Sequence, residues 1–221
     1  MSLLETITVA TGDNPKLSVI WLHGLGADGH DFEPVVPLFK NPDTDIRFVF
    51  PHAPVRPVTI NGGMSMRAWY DIKMMDIGKQ PDETGIRESA VQVEALIEAE
   101  IKAGFDSQQI ILAGFSQGGA IALHTGLRLK HQLGGIVALS CYLTIADKLA
   151  AEKTEANQNT PIFMAHGTYD PVVPYQLGHD GHQQLKQHGY AVNWHEYPIQ
   201  HGVSPEELED IKSWILKQAS S

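Results

Sequence analysis

Gln109-Ile-Ile-Leu-Ala-Gly114-Phe-Ser116-Gln-Gly118-Gly119 decides the fold. Its first half is a short, continuous apolar run, the signature of a strand buried on both faces. Its second half opens Ala120 to Leu129, a good helix former with a long apolar face. A serine placed between them sits on a strand-to-helix turn so tight that side chains two residues before and after it would clash. Glycine at 114 and at 118 is therefore a steric requirement. Such a turn lifts the serine hydroxyl to the carboxyl edge of a sheet, where the N-terminus of the following helix favours developing negative charge. Ser116 reads as a nucleophile, and the backbone N–H of Gln117 as a donor to an oxyanion.

Outward from this stretch the same alternation recurs. Apolar runs at Leu17–Leu22, Ile46–Phe50, Gly135–Leu139, Pro161–Ala165 and Val192–Tyr197 are separated by longer helix-like segments. That pattern predicts an α/β fold with a mostly parallel central sheet and helices on both faces. Residues 87 to 103 place Val93, Ile97 and Ile101 on one stripe of a surface helix. Ser204-Pro-Glu-Glu207 predicts a capping box with proline at the first helical position, followed by Leu208, Ile211 and Ile215 facing inward. The 221 residues fit one domain, 1–221. The stretch from Arg56 to Asp82, rich in Gly, Met and Pro, is expected to be a long loop covering the substrate.

Composition narrows the function. With 26 acidic against 16 basic residues and no Lys/Arg cluster, the electrostatic footprint of a nucleic-acid binder is missing. A single cysteine, Cys141, forms no internal disulfide, and the N-terminal segment lacks a basic, then apolar, leader, so a cytoplasmic setting is expected. Apolar runs stay far below the roughly 20 residues of a membrane-spanning helix, so no integral membrane association is expected.

A serine hydroxyl needs a neighbouring base, and on such a scaffold the partners follow in the order Ser, Asp/Glu, His. Five histidines occur late in the chain. His179, His182 and His188 fall in a polar helix-like stretch, where a solvated face is expected, and His195 sits mid-strand. Only His201 lies in the loop between the last strand and the last helix. Asp170, in the loop after the Pro161–Ala165 run, is placed to accept the Nδ1–H of His201 and fix its tautomer. His23-Gly-Leu-Gly26 follows the first run, and its glycines allow close backbone approach, so the Leu25 N–H reads as the second oxyanion donor.

Rival readings are weaker. Gly24-x-Gly26-x-x-Gly29 satisfies a dinucleotide spacing, but no acidic residue closes a ribose-binding strand. Cys141 lacks elbow glycines and reads as a core thiol. His179 and His182 stand at i, i+3 without an evident third ligand, so no metal and no cofactor are expected. A non-catalytic acyl-binding or interaction module on the same scaffold is the alternative from another class.

Taken together, HGLGADG at 23–29, FPHAP at 50–54, RAWYD at 67–71, GFSQGG at 114–119, GTYDPVVP at 167–174 and the late His201-Gly202 resemble the carboxylesterase and acyl-protein thioesterase family of small lysophospholipase-like hydrolases. The resemblance implies an α/β-hydrolase fold and a serine hydrolase acting on carboxylic esters or thioesters of short to medium acyl chains. It implies Ser116, Asp170 and His201 as a triad, Leu25 and Gln117 as oxyanion hole, and Trp69 with Val172 near the acyl site. Small acyl esters or thioesters, lysophospholipids and acylated proteins are the substrates it suggests, and a homodimer is compatible with it. Met64, Met66, Met74 and Met75 with Trp69 and Tyr70 would supply an adaptable apolar grip on the acyl chain. Gln200 departs from the small residue that many relatives carry before the catalytic histidine and would narrow the pocket.

Overall fold

The computed structural model describes residues 3–73 and 81–219. Its seven-stranded sheet contains β1 (Thr6–Ala10), β2 (Pro15–Leu22), β3 (Asp45–Pro51), β6 (Ile110–Phe115), β7 (Gly135–Leu139), β8 (Ile162–Gly167) and β9 (Val192–Tyr197). A separate two-stranded hairpin is formed by β4 (Val55–Val58) and β5 (Met64–Arg67). The large sheet runs β1-β3-β2-β6-β7-β8-β9, and every neighbouring pair is parallel except β1 with β3. The helices are α1 (Glu83–Lys102), α2 (Gln117–Gly126), α3 (Leu149–Glu152), α4 (Tyr175–Gln187) and α5 (Pro205–Gln218).

Successive strand residues point to opposite faces, so each central strand feeds two cores at once. Ile20, Leu22, Leu112, Ile136, Ala138 and Met164 pack on one side with Val93 and Ile97 of α1, Ile121 and Leu123 of α2 and Leu185 of α4. Val19, Trp21, Ile111, Val137, Leu139 and Phe163 pack on the other with Leu208, Ile211 and Ile215 of α5 and with Val36 and Phe39. This two-sided burial explains why β6, β7 and β8 read as unbroken apolar runs rather than alternating ones.

Every expected strand is present, with bounds shifted by a residue or two, and α1 begins one turn earlier than its apolar stripe predicts. Three features differ. Strand β1 forms the edge of the sheet, and its alternating exposure left it without an apolar run. The expected loop at 56–82 contains the β4–β5 hairpin, disguised by Pro57 and by methionines in place of β-branched residues. Its turn carries Gly62 and Gly63 at φ 67° and 76°, a legible hairpin signal. Met74 and Met75 lie outside the described residues. On α4, His182 is not solvated as expected. It is buried and stacks on Trp194 of β9 at 5.0 Å and 8° between planes.

Helix α5 has the expected capping box: Ser204 Oγ accepts the Glu207 N–H at 3.1 Å, and Glu207 Oε2 accepts the Ser204 N–H at 3.4 Å. Burial pushes the Glu207 carboxyl up to about 8, against an ordinary 4.5. The folded chain thus holds a proton that the unfolded chain releases between those values, so this group's stabilisation is complete below 4.5 and is lost as pH rises to about 8. Glu207→Gln preserves the cap and removes the ionisation. In thermal melts it is expected to match the parent at pH ~5 and to exceed it by several degrees at pH ~9, because 1 kcal/mol is about 2–4 °C at this size. Equal melting temperatures at the higher pH would show that Glu207 stays charged in the fold.

Candidate active site

The parallel strands end together: Leu22 pairs with Gly114, Phe115 with Leu139, Leu139 with Ala165, and Gly167 with Tyr197. The loops leaving these ends therefore meet on one edge. At its centre Ser116 adopts φ 54° and ψ −119°, a sparsely populated conformation for a residue with a side chain. It is held there from both sides, because its N–H donates to Leu139 O at 2.8 Å and its carbonyl accepts the Ala120 N–H at 3.1 Å.

The flanking glycines have steric causes. A Cβ on Gly114 would lie 2.3 Å from Gly118 O, and one on Gly118 would lie 2.4 Å from Leu22 O and 2.6 Å from His23 O. These obstacles are backbone and cannot swing aside. Gly118→Ala should cost about 1–3 kcal/mol as overpacking and displace the elbow. A melting temperature lowered by several degrees, together with reduced turnover per folded molecule, is the expected result. An unchanged melt would mean the elbow has slack the packing does not reveal.

His201 enters from the loop between β9 and α5. Its Nε2 lies 3.0 Å from Ser116 Oγ, and its Nδ1 lies 2.7 Å from Asp170 Oδ2. The ring rests on Phe115 at 4.8 Å. The Asp170 carboxylate is fully buried, and its other oxygen, Oδ1, accepts the N–H groups of Val172 and Val173 at 2.8 and 2.9 Å. The Asp170 and His201 loops are pressed together. Tyr169 N–H donates to Ile199 O at 3.0 Å, and a Cβ on Gly167 would meet Ile199 O and Gln200 O at 2.5 and 2.4 Å. The Gln200 side chain is exposed, and it is the backbone of this residue that packs against Gly167.

The His23–Gly26 loop lies against the elbow, since a Cβ on Gly24 would be 3.6 Å from Ser116 Cβ. His23 Nδ1–H donates to Gly24 O at 2.7 Å, while Nε2 accepts the Ala53 N–H at 3.0 Å. Burial lowers the affinity of this ring for a second proton, so it stays neutral with both nitrogens employed. Gly26 N–H donates to Arg67 O at 2.9 Å. Among the described residues the Leu25 and Gln117 N–H groups have no intramolecular acceptor.

Trp69 requires a correction. Its side chain is wholly buried, with the indole N–H donating to His23 O at 2.9 Å, so it has no face to offer an acyl chain. Tyr70 is buried as well, its hydroxyl hydrogen-bonded to that of Tyr142 at 2.8 Å. Val172 is 53% exposed beside Asp170, and Tyr169 is 68% exposed. Sequence reasoning missed the support given by Phe115, by His23 and by His166, whose Nε2 lies 2.9 Å from Val173 O and 3.5 Å from Asp170 Oδ2. The Cys141 thiol is buried, which raises its pKa far from nucleophilic use. Among the described residues no cluster of three or more His, Cys, Asp or Glu side chains has metal-binding geometry.

The chain is 41% identical over 211 residues to acyl-protein thioesterase 1 of Neurospora crassa, covering 91% of this chain and 86% of that protein. It is 35% identical over 231 residues to acyl-protein thioesterase 1 of Cryptococcus neoformans, covering 97% of each. Among solved structures, Arabidopsis thaliana SOBER1 superposes with a TM-score of 0.87 at 33% identity, covering 91% of this chain and 98% of that one. Zea mays acyl-protein thioesterase 2 superposes with a TM-score of 0.86 at 28% identity, covering 97% and 99%. The Phospholipase/Carboxylesterase family model matches residues 5–219, and with an elbow, a loop order and a sheet of this kind the chain belongs to that family of α/β-hydrolases.

Proposed function

We propose that the chain hydrolyses carboxylic esters and thioesters through an acyl-enzyme on Ser116, with His201 as general base and Asp170 as its orienting acid. One observation carries the reading: an unbroken hydrogen-bond chain from Ser116 through His201 to Asp170, built on an elbow that holds the serine in a strained conformation. His201 Nε2 takes the hydroxyl proton as Oγ attacks the acyl carbon, and Asp170 stabilises the imidazolium. The tetrahedral oxygen is received by the N–H groups of Leu25 and Gln117, which have no competing acceptor among the described residues. The proton then passes from His201 to the departing alcohol or thiol, and water repeats the sequence to release the acid.

Acylated proteins, with thioester-linked chains, are the substrate class favoured by the names of the similar proteins. Val172 is kept as a contact for the acyl or protein portion, since it is exposed on the turn whose backbone holds Asp170. The test is labelling with a fluorophosphonate followed by peptide mapping, together with turnover of matched oxygen esters, thioesters and lysophospholipids of two to twelve carbons. Covalent modification confined to Ser116, with turnover of acyl esters or thioesters, is the expected outcome. Label on another residue, or no turnover of any acyl substrate, would overturn the assignment.

A further inference from the structure

The carboxamide of Gln117 is buried and doubly engaged: Oε1 accepts the Trp69 N–H and Nε2 donates to Tyr70 O, both at 2.7 Å. Trp69 in turn donates its indole N–H to His23 O at 2.9 Å, and its own carbonyl accepts the Ser89 hydroxyl. His23 O also faces Gly118, where no room remains for a Cβ. A circuit therefore closes from Gln117 through Trp69 to His23 and back to the elbow. It spans the two segments that carry the Leu25 and Gln117 N–H groups, which have no acceptor among the described residues, and the Trp69 ring lies tilted beside the His23 ring with centroids 5.4 Å apart.

We propose that the side chains of Trp69 and Gln117 are positioning residues for the oxyanion hole, setting the separation of the Leu25 and Gln117 N–H donors. The proposal rests on the reading of Ser116 as nucleophile. Its physical basis is that an oxyanion donor acts only when aimed at the tetrahedral oxygen, and misplacement by about 1 Å costs on the order of a hundredfold. Neither side chain touches the reacting atoms. The Gln117 N–H belongs to the backbone and survives any replacement of its side chain, so a variant at 117 removes the brace without removing the donor.

Trp69→Phe retains a ring but deletes the indole N–H, and Gln117→Met retains length but deletes both carboxamide hydrogen bonds. Each variant is to be titrated with a fluorophosphonate so that turnover is expressed per labelled Ser116. Each is expected to lower kcat by about 10–100-fold with KM within about twofold, equally for acetyl and octanoyl esters, because the oxyanion is common to both. A boronic acid that mimics the tetrahedral state should lose affinity by a similar factor. The double variant should lose no more than the worse single one, since both open the same circuit. Normal kcat per labelled site with a reduced active fraction or melting temperature would make the residues structural and end the proposal. A loss growing with acyl length would make Trp69 a groove wall and end it as well. If the parent protein takes no label at Ser116, the hydrolase reading and the proposal fall together, which distinguishes that failure from the other two.

Discussion

With Ser116 replaced by alanine, kcat for any acyl substrate is expected to fall about a million-fold, the scale on which removal of one member of a triad abolishes covalent catalysis. Residual hydrolysis would come from water attacking substrate held by the oxyanion donors. Stability should change by about 1 kcal/mol at most, because among the described residues the hydroxyl makes a single hydrogen bond, to a partly exposed histidine. Alanine meets the same backbone demand at φ 54° as serine does, so the elbow is not relieved. Stopped assays and a thermal melt on the same preparation check both halves. Turnover within about a hundredfold of the parent would place the nucleophile elsewhere.

Asp170→Asn is expected to lower kcat about ten-thousand-fold, and the geometry says why. The Oδ1 position already receives two backbone N–H groups, from Val172 and Val173, so an amide must put its oxygen there. Its NH2 then faces His201 at the Oδ2 position and can only donate. The imidazole is driven to the tautomer protonated on Nε2, which cannot accept the proton of Ser116. Fluorophosphonate labelling should slow in parallel with turnover, since both need the serine activated. A loss below tenfold would show that another group orients the base.

Elements whose causes are local could be read before folding. The glycines at 114 and 118 are demanded by backbone within a few ångströms of the serine, and the Ser204–Glu207 box closes within one helical turn. The order of the runs located the loops of Asp170 and His201 on one edge, because parallel strands put all their carboxyl ends there. What could not be read depends on three-dimensional burial. Trp69 in an Arg-Ala-Trp-Tyr-Asp segment looks like a ligand contact, yet its indole finds a carbonyl 46 residues away and turns inward. His182 lies in a polar stretch but meets Trp194 across from a neighbouring strand. The hairpin at 55–67 was hidden because its strands are short and carry a proline, although its paired glycines announced the turn.

Gly167 has a consequence in time. The backbone of residues 199 and 200 presses on it, and β9, which delivers them, is an edge strand that among the described residues pairs only with β8. His201 stands 85 residues from Ser116 and 31 from Asp170 along the chain. The segment that carries His201 follows β9, the last strand of the sheet to be synthesised. During synthesis the strand, elbow and helix around Ser116 can assemble while His201 is still absent, leaving a serine with no base. On the proposed mechanism, the serine would gain its base only when the last strand docks.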